Sequence, residues 1–327
     1  MTADRDLLER VLTQADPAVT PRDAKPDAAA AITRERIIRT AATPRPQRRR
    51  AVAWVSAVAM AAAAAVVAVA VLVPQGTAMA GSPAPLDFSE GASTADALST
   101  AQSTLASTEG PAAPERVVRS ATWGLDINGN TGATEVVPQL NTLRWEPDLS
   151  GRMVSVRGVA YDPADASANV GAEISSSGEI VVDLPIEPGQ FTTPVPDVFG
   201  DTRDDLEAVL TAFGMPADPT GSEVVAAATS VLEQWTLTNA QEAQVLEILA
   251  DSDGVAALGT TTDRLGRQAA GLRVITPDGA ASDVVLLSLD TGRIIGVERT
   301  NLIENDLIAA GAIVAYTMWD VDEDLVR

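Results

Sequence analysis

The sequence predicts an α+β protein with a single transmembrane helix and an extracytoplasmic antiparallel sheet that has helices packed on it. Three observations predict this fold class. Residues 51–73 form an uncharged apolar run. Residues 117–184 and 256–319 alternate apolar and polar side chains with a period of two, which is typical of half-buried strands. Between these blocks, residues 201–251 show helical spacing.

The apolar run is long enough to cross a bilayer. Residues 51–73 contain no charge and no proline, and as a helix they span about 34 Å, against roughly 30 Å for a hydrocarbon core. Arg48, Arg49 and Arg50 precede the run, and the next basic residue is Arg116. Basic residues flanking a span stay in the cytoplasm. The sequence therefore predicts a cell-membrane protein with residues 1–50 inside and 74–327 outside.

A cleaved signal peptide is the alternative interpretation of this run. The segment Ala78-Met79-Ala80 has the small-x-small form of a cleavage site. The 50 residues before the run and the 23 residues within it are both too long for a signal peptide. We therefore expect the run to be retained as a transmembrane helix.

The cytoplasmic segment 1–50 contains two short helical patterns, over the first 15 residues and over 27–41. In the first pattern, Leu7, Leu8, Val11 and Leu12 fall on one face. Helices this short do not bury a core of their own. Two interpretations remain open: a disordered leader, or a face that folds against a cytoplasmic partner.

The extracytoplasmic part begins with a Pro/Gly/Ser-rich stalk over 74–90, followed by a domain over 91–327. The pattern predicts a helix over 91–108 and then four strands. In the insertion 201–251, Ser222 is the predicted cap of the second helix, and Thr238 with Gln241 forms a capping box for the third. Glycine-containing turns at 265–266, 278–279 and 291–292 separate the later strands.

Composition excludes several function classes. Residues 1–50 carry 11 basic and 7 acidic side chains, about +4, and the remainder carries 12 and 38, about −26. So acidic a domain has no electrostatic basis for binding nucleic acid. The chain has no Cys and no His, which excludes disulfides, thiol or histidine metal sites and Ser-His or Cys-His catalysis. No acidic pair or nucleotide motif stands out, so we expect no catalytic residue, no metal and no cofactor.

Four tryptophans are the candidate ligand-binding residues of the outer domain. Trp123, Trp145, Trp235 and Trp319 occur in a chain with only 11 aromatic residues. Such residues line an apolar cavity or form a core, and in a domain with few aromatics the core is the commoner role.

Several stretches resemble a family of actinobacterial single-span membrane proteins: DLLERVLTQADPA at the start, the basic-then-apolar span, PAPLDFSEGASTADALSTAQSTLAS, the strands with Trp123 and Trp145, and DTGRIIGVER near the end. The family is linked to extracytoplasmic-function sigma factors, and its members are treated as anti-sigma factors or their membrane partners. The resemblance implies an outer domain similar to the lipoprotein-carrier fold and the regulator of the sigma-E anti-sigma factor, a curved half-barrel covered by helices. It implies no catalytic residue.

Two hypotheses of function follow. In the first, the protein is a transmembrane regulator: the outer domain senses a ligand or partner, and residues 1–50 bind a sigma factor or another regulator. The usual anti-sigma zinc motif is absent, because the chain lacks Cys and His. In the second, the protein is a membrane-anchored carrier-like module that binds lipid or lipoprotein outside, with no signalling role.

Overall fold

The computed structural model describes residues 81–125, 135–305 and 307–326. The predicted span 51–73, the helix face of Leu7, Leu8, Val11 and Leu12, and the topology signal Arg48, Arg49 and Arg50 lie outside these residues and stay predictions. Within the described ranges, no helix combines the length and the apolar character needed to cross a membrane.

The described residues form an α+β domain. Its helices are α1 (Thr94–Ser107), α2 (Ala166–Asn169), α3 (Arg203–Ala212), α4 (Gly221–Leu232) and α5 (Asn239–Ala250), with a 3₁₀ turn at Glu323–Leu325. Its strands are β1 (Val117–Gly124), β2 (Gln139–Trp145), β3 (Gly151–Gly158), β4 (Ser176–Ile186), β5 (Ala256–Thr262), β6 (Gln268–Ile275), β7 (Ala281–Ser288), β8 (Ile294–Asn301) and β9 (Ile313–Trp319).

The strands form one nine-stranded antiparallel sheet in the order β4-β3-β2-β1-β9-β8-β7-β6-β5. The pairing of β1 with β9 joins the four strands before the helical insertion to the five strands after it. Register shifts in four ladders bend the strands, and β4 and β5 remain as separate edges. The predicted α+β class with a curved antiparallel sheet is confirmed, and the sheet is open.

The helices begin where side chains satisfy their first backbone N–H groups. The predicted capping box at the start of α5 is confirmed, with Gln241 N 3.1 Å from Thr238 Oγ1. The predicted cap of α4 is wrong by two residues. Thr220 is the cap, because the Glu223 carboxylate accepts a hydrogen bond from the Thr220 backbone N–H at 2.8 Å, and Ser222 lies buried inside the helix.

Both faces of the sheet are covered by apolar cores. On the helix side, α1, α3, α4 and α5 pack on the sheet around fully buried residues such as Leu210, Leu246 and Leu272. On the opposite side, Leu140, Leu286 and other buried residues form a second core.

The segment 81–90 contacts this second core. Its residues Leu86 and Phe88 pack against the buried side chains, and Arg264 Nη2 donates a hydrogen bond to the Ala84 carbonyl oxygen at 2.9 Å. The stalk predicted over 74–90 therefore includes ten residues that lie on the domain. Partial burial of the Leu86 and Phe88 side chains is the physical reason.

Candidate ligand-binding site

The four candidate tryptophans are buried, and they lie on both sides of the sheet. Trp145 and Trp235 meet edge to face in the helix-side core, with ring centroids 4.8 Å apart. Trp319 belongs to the same core. Trp123 lies in the opposite core and stacks on Tyr316 at 5.7 Å. The sheet therefore separates Trp123 from the other three, and the four do not meet at one site.

Arg116, which no sequence motif marks, joins the aromatic cluster. The Arg116 guanidinium lies 4.9 Å from the rings of both Trp145 and Trp235, a cation–π arrangement. Its Nη2 donates to the Pro196 carbonyl oxygen at 2.8 Å. Arg116 thus lies beside both indoles, so these tryptophans contribute to the core and contact a half-buried cation.

A small apolar cavity lies between α1 and the sheet. Its volume is about 90 Å³. Ala97 and Ala101 of α1 form one wall, Gly271 and Leu287 lie opposite, and Leu289 is 42% exposed beside it. The cavity exists because small residues of the helix face small residues of the strands, which leaves the lining without partner atoms. No charged side chain lines it.

The turn between β7 and β8 and the start of α5 fix the position of α1 over this cavity. Gly292 has φ +76°, and a Cβ there would lie 2.2 Å from the Ala101 carbonyl oxygen, so only glycine allows this approach. Asn239 Nδ2 donates to the carbonyl oxygens of Leu105 and Thr108, each at 3.0 Å. The C-terminal end of α1 is therefore held by polar contacts.

A second, more open cleft of about 390 Å³ lies beside the start of α5. Residues 110–114 form one wall, and 199–201 form another. Gln241 Nε2 donates to the carbonyl oxygens of Phe199 and Gly200, at 3.0 and 3.1 Å. These contacts tie the wall 199–201 to the helix and use the buried amide group.

A buried ionic cluster lies at the start of α5 and is connected through Asn239 to the last turn of α1. Glu242 is fully buried, and its Oε1 lies 2.5 Å from Arg293 Nη2. Arg293 also pairs with Asp320 at 2.9 Å and donates to Asn239 Oδ1 at 3.0 Å. Arg293 and Glu242 form an ion pair, but their atoms are not aligned for a hydrogen bond. Among the described residues, the Glu242 Oε1 therefore has no hydrogen-bond partner. Burial raises the pKa of Glu242 to about 8, although Arg293 opposes this shift.

This shift predicts a pH-dependent stability. Glu242 has an ordinary pKa of 4.5, and its pKa in the folded protein is raised to about 8. Between pH 4.5 and pH 8 the folded protein therefore binds one more proton than the unfolded protein. The stabilisation of the folded state by protonated Glu242 is complete below pH 4.5 and is lost as the pH rises through 8. We expect this group to lower the free energy of unfolding by about 3 kcal/mol between pH 4.5 and pH 7.

The measurement is urea unfolding across this pH range for the protein and for Glu242→Gln, which does not titrate. The difference between the two stabilities isolates Glu242 from the other acidic residues. A difference that stays constant with pH would contradict the expectation.

Comparisons with known proteins add little. No family model matches the chain, and no curated protein matches it significantly. A solved domain from Vibrio parahaemolyticus, described as an outer membrane lipoprotein-sorting protein, is 11% identical, with 71% of this chain and 96% of that chain covered and a TM-score of 0.21. A TM-score this low supports no inference about the fold or function of this chain. None of the comparisons supports the predicted link to sigma factors.

Proposed function

We propose that the protein is a membrane-anchored binding module without catalysis of its own. Residues 51–73 hold it in the cell membrane, and the domain that follows takes up the end of an acyl chain beneath α1, outside the cytoplasm. The observation that carries the proposal is the apolar cavity of about 90 Å³ between α1 and the sheet. The lining is uncharged, and the hydroxyl groups of Thr100, Thr104, Thr260 and Ser288 are its polar side-chain groups. The alanine and leucine side chains that make up much of the rest suit an apolar ligand.

The position of α1 explains how an acyl chain enters. Among the residues that line the cavity, Ala97 and Ala101 supply small side chains on α1. Polar contacts concentrate at the two ends of the helix, where Thr94 Oγ1 accepts from the Ala257 N–H at 2.9 Å and Asn239 donates to the last turn. An outward movement of the middle of α1 enlarges the cavity, and it costs part of the burial of Leu98, Ala101 and Leu105.

Filling the cavity is expected to weaken binding. Ala97→Phe places a ring in the space, and we expect dodecanoate to bind about thirtyfold more weakly, because excluding two or three methylenes loses about 2 kcal/mol. Ala95→Phe is the matched control, since Ala95 is exposed on the same helix and does not line the cavity.

Calorimetric titration of the full-length protein in detergent-free nanodiscs measures both variants. Native mass spectrometry of the protein from its host shows whether a lipid-sized mass is released only on denaturation. Failure of the unmodified protein to bind dodecanoate, with no such mass retained, would overturn the proposal.

A transmembrane regulator is the second candidate, and the sequence of the inner segment favours it. Leu7, Leu8, Val11 and Leu12 form an apolar face in a segment too short to fold alone. Capture with residues 1–50 as bait tests for a sigma factor or another regulator. Deleting residues 2–40 distinguishes the candidates, because a pure carrier keeps its full activity without them.

A further inference from the structure

The chain enters the domain as a strap over residues 82–91, which lies on the second core and reaches the edge of the sheet. Near its first end, Asn169 Oδ1 accepts a hydrogen bond from the Ala84 N–H at 2.7 Å, and Asn169 Nδ2 donates to the Ser82 carbonyl oxygen at 3.0 Å. In the sequence, the strap follows the predicted span 51–73. The strap is therefore the segment through which the domain connects to the predicted membrane anchor.

The other end of the strap is bound to the outer edge of β5. Ser89 N donates to the Thr260 carbonyl oxygen at 2.9 Å, and Thr260 N donates to the Ser89 carbonyl oxygen at 3.3 Å. Gly91 packs so closely on Gly259 that a Cβ on Gly91 would lie 2.3 Å from the Gly259 Cα. No side chain lies between these two backbones, so nothing there can adjust if the strap and the strand move apart.

The residues that bind this end of the strap also line the cavity beneath α1. Gly259 and Thr260 belong to the lining, together with Ala92, which directly follows the strap. Gly271 of β6 belongs to it as well, and a Cβ on Gly271 would overlap the Phe88 ring of the strap. The strap and the cavity therefore share three backbone positions of the sheet.

The strap is also joined directly to α1. Only Ala92 and Ser93 separate Gly91 from Thr94, the first residue of the helix. The Ser93 carbonyl oxygen accepts a hydrogen bond from the Ala97 N–H at 2.9 Å, which fixes Ser93 to the first turn. A movement of this end of α1 is therefore transmitted to the strap with little slack.

We propose that the strap responds to occupancy of the cavity: an acyl chain that enters beneath α1 detaches the strap from β5. The inference rests on the proposed function and adds a regulation to it. A chain that pushes between Ala92 and Gly259 widens the cavity by drawing Gly91 away from β5. This movement breaks the two hydrogen bonds between Ser89 and Thr260. The acyl chain and the attached strap therefore oppose each other, and by linkage each weakens the binding of the other.

Hydrogen exchange of the full-length protein in nanodiscs, read at single amides by mass spectrometry, tests the proposal with dodecanoate as the ligand. We expect dodecanoate to speed exchange of the Ser89 amide at least about fivefold, the lower end of typical couplings between two sites. The Ala84 amide, which Asn169 binds near the other end of the strap, is the internal reference and should be unchanged. A ligand that only fills the cavity would slow exchange around it or leave it unchanged, so the sign of the effect identifies detachment.

Two glycine substitutions test the reciprocal effect by calorimetric titration. In Gly91→Ala, the new Cβ overlaps the Gly259 backbone and loosens the strap. Dodecanoate should then bind about fivefold more tightly, the factor for one hydrogen bond that no longer has to break. Gly124→Ala is the matched control, because Gly124 lies at the end of β1 and a Cβ there meets no atom within 4 Å.

The outcomes separate this inference from the proposed function. Failure of the unmodified protein to bind dodecanoate overturns the inference together with the binding on which it rests. If dodecanoate binds and the Ser89 amide exchanges at an unchanged or slower rate, the proposed function stands and the coupling is overturned. Equal affinities of Gly91→Ala and Gly124→Ala would also contradict the coupling. The exchange measurement needs no substitution, so it decides the question even if Gly91→Ala does not fold.

Discussion

Arg293→Met is expected to lower the free energy of unfolding by about 3–5 kcal/mol at pH 8.5, where loss of the buried partner forces Glu242 either to hold an unpaired charge or to take up a proton. Arg293 is 7% exposed and contacts Glu242, Asp320 and Asn239. Without the guanidinium, the Glu242 carboxyl group stays buried, and among the described residues the Ile294 N–H, at 2.8 Å, is its remaining hydrogen-bond donor. Urea unfolding followed by tryptophan fluorescence measures the loss.

The same substitution should cost less at pH 6. The pKa of Glu242 is about 8 with Arg293 present, and removal of the positive charge raises it further. The carboxyl group is then protonated at pH 6, and its burial without a partner charge is less costly. Combining Arg293→Met with Glu242→Gln should recover much of the stability at pH 8.5. An equal loss at both pH values would show that lost packing of the arginine, rather than the orphaned carboxylate, destabilises the protein.

The elements of this fold are largely predictable because their signals are local. The period of two over 256–319 and the glycine turns within it predict the region of β5 to β9, and helical spacing over 91–108 and 201–251 predicts the region of α1, α3, α4 and α5. The capping box of α5 needs only Thr238 and Gln241. Each of these features depends on residues within a few positions of one another.

The strand order could not be predicted from local signals. The pairing of β1 with β9 places Ser120 opposite Trp319, and nothing in either strand specifies so distant a partner. The Pro and Ser content of the segment 81–90 predicts a stalk. Leu86 and Phe88, two positions apart, were the available signal that one side of this segment is buried.

The candidate site was less predictable than the fold. Glu242 lies three and seven residues before Val245 and Leu249, so helical spacing alone places it on the buried face of α5. That signal could have identified it. The cavity beneath α1 had no such signal, because it depends on which small residues of β5, β6 and β7 face Ala97 and Ala101, and this follows only from the strand register.

Trp235→Ala is expected to cost about 3–5 kcal/mol, the range for truncating a large buried aromatic residue. Trp235 has no exposed surface, and its ring lies 4.8 Å from Trp145 and 5.4 Å from Phe199. It also forms one side of the site that holds the Arg116 guanidinium. The substitution therefore opens a cavity and removes half of the cation–π contact, and urea unfolding followed by far-UV circular dichroism measures both losses together.

Two phenylalanine substitutions separate packing from hydrogen bonding. Among the described residues, the Trp235 Nε1 has no hydrogen-bond partner, whereas the Trp145 Nε1 donates to the Gln234 carbonyl oxygen at 2.8 Å. Trp145→Phe should therefore cost about 1 kcal/mol more than Trp235→Phe, because it leaves a carbonyl oxygen without its donor. If Trp235→Phe proved the costlier change, the Trp235 Nε1–H would have to donate a hydrogen bond in the folded protein. A buried water would be the simplest acceptor.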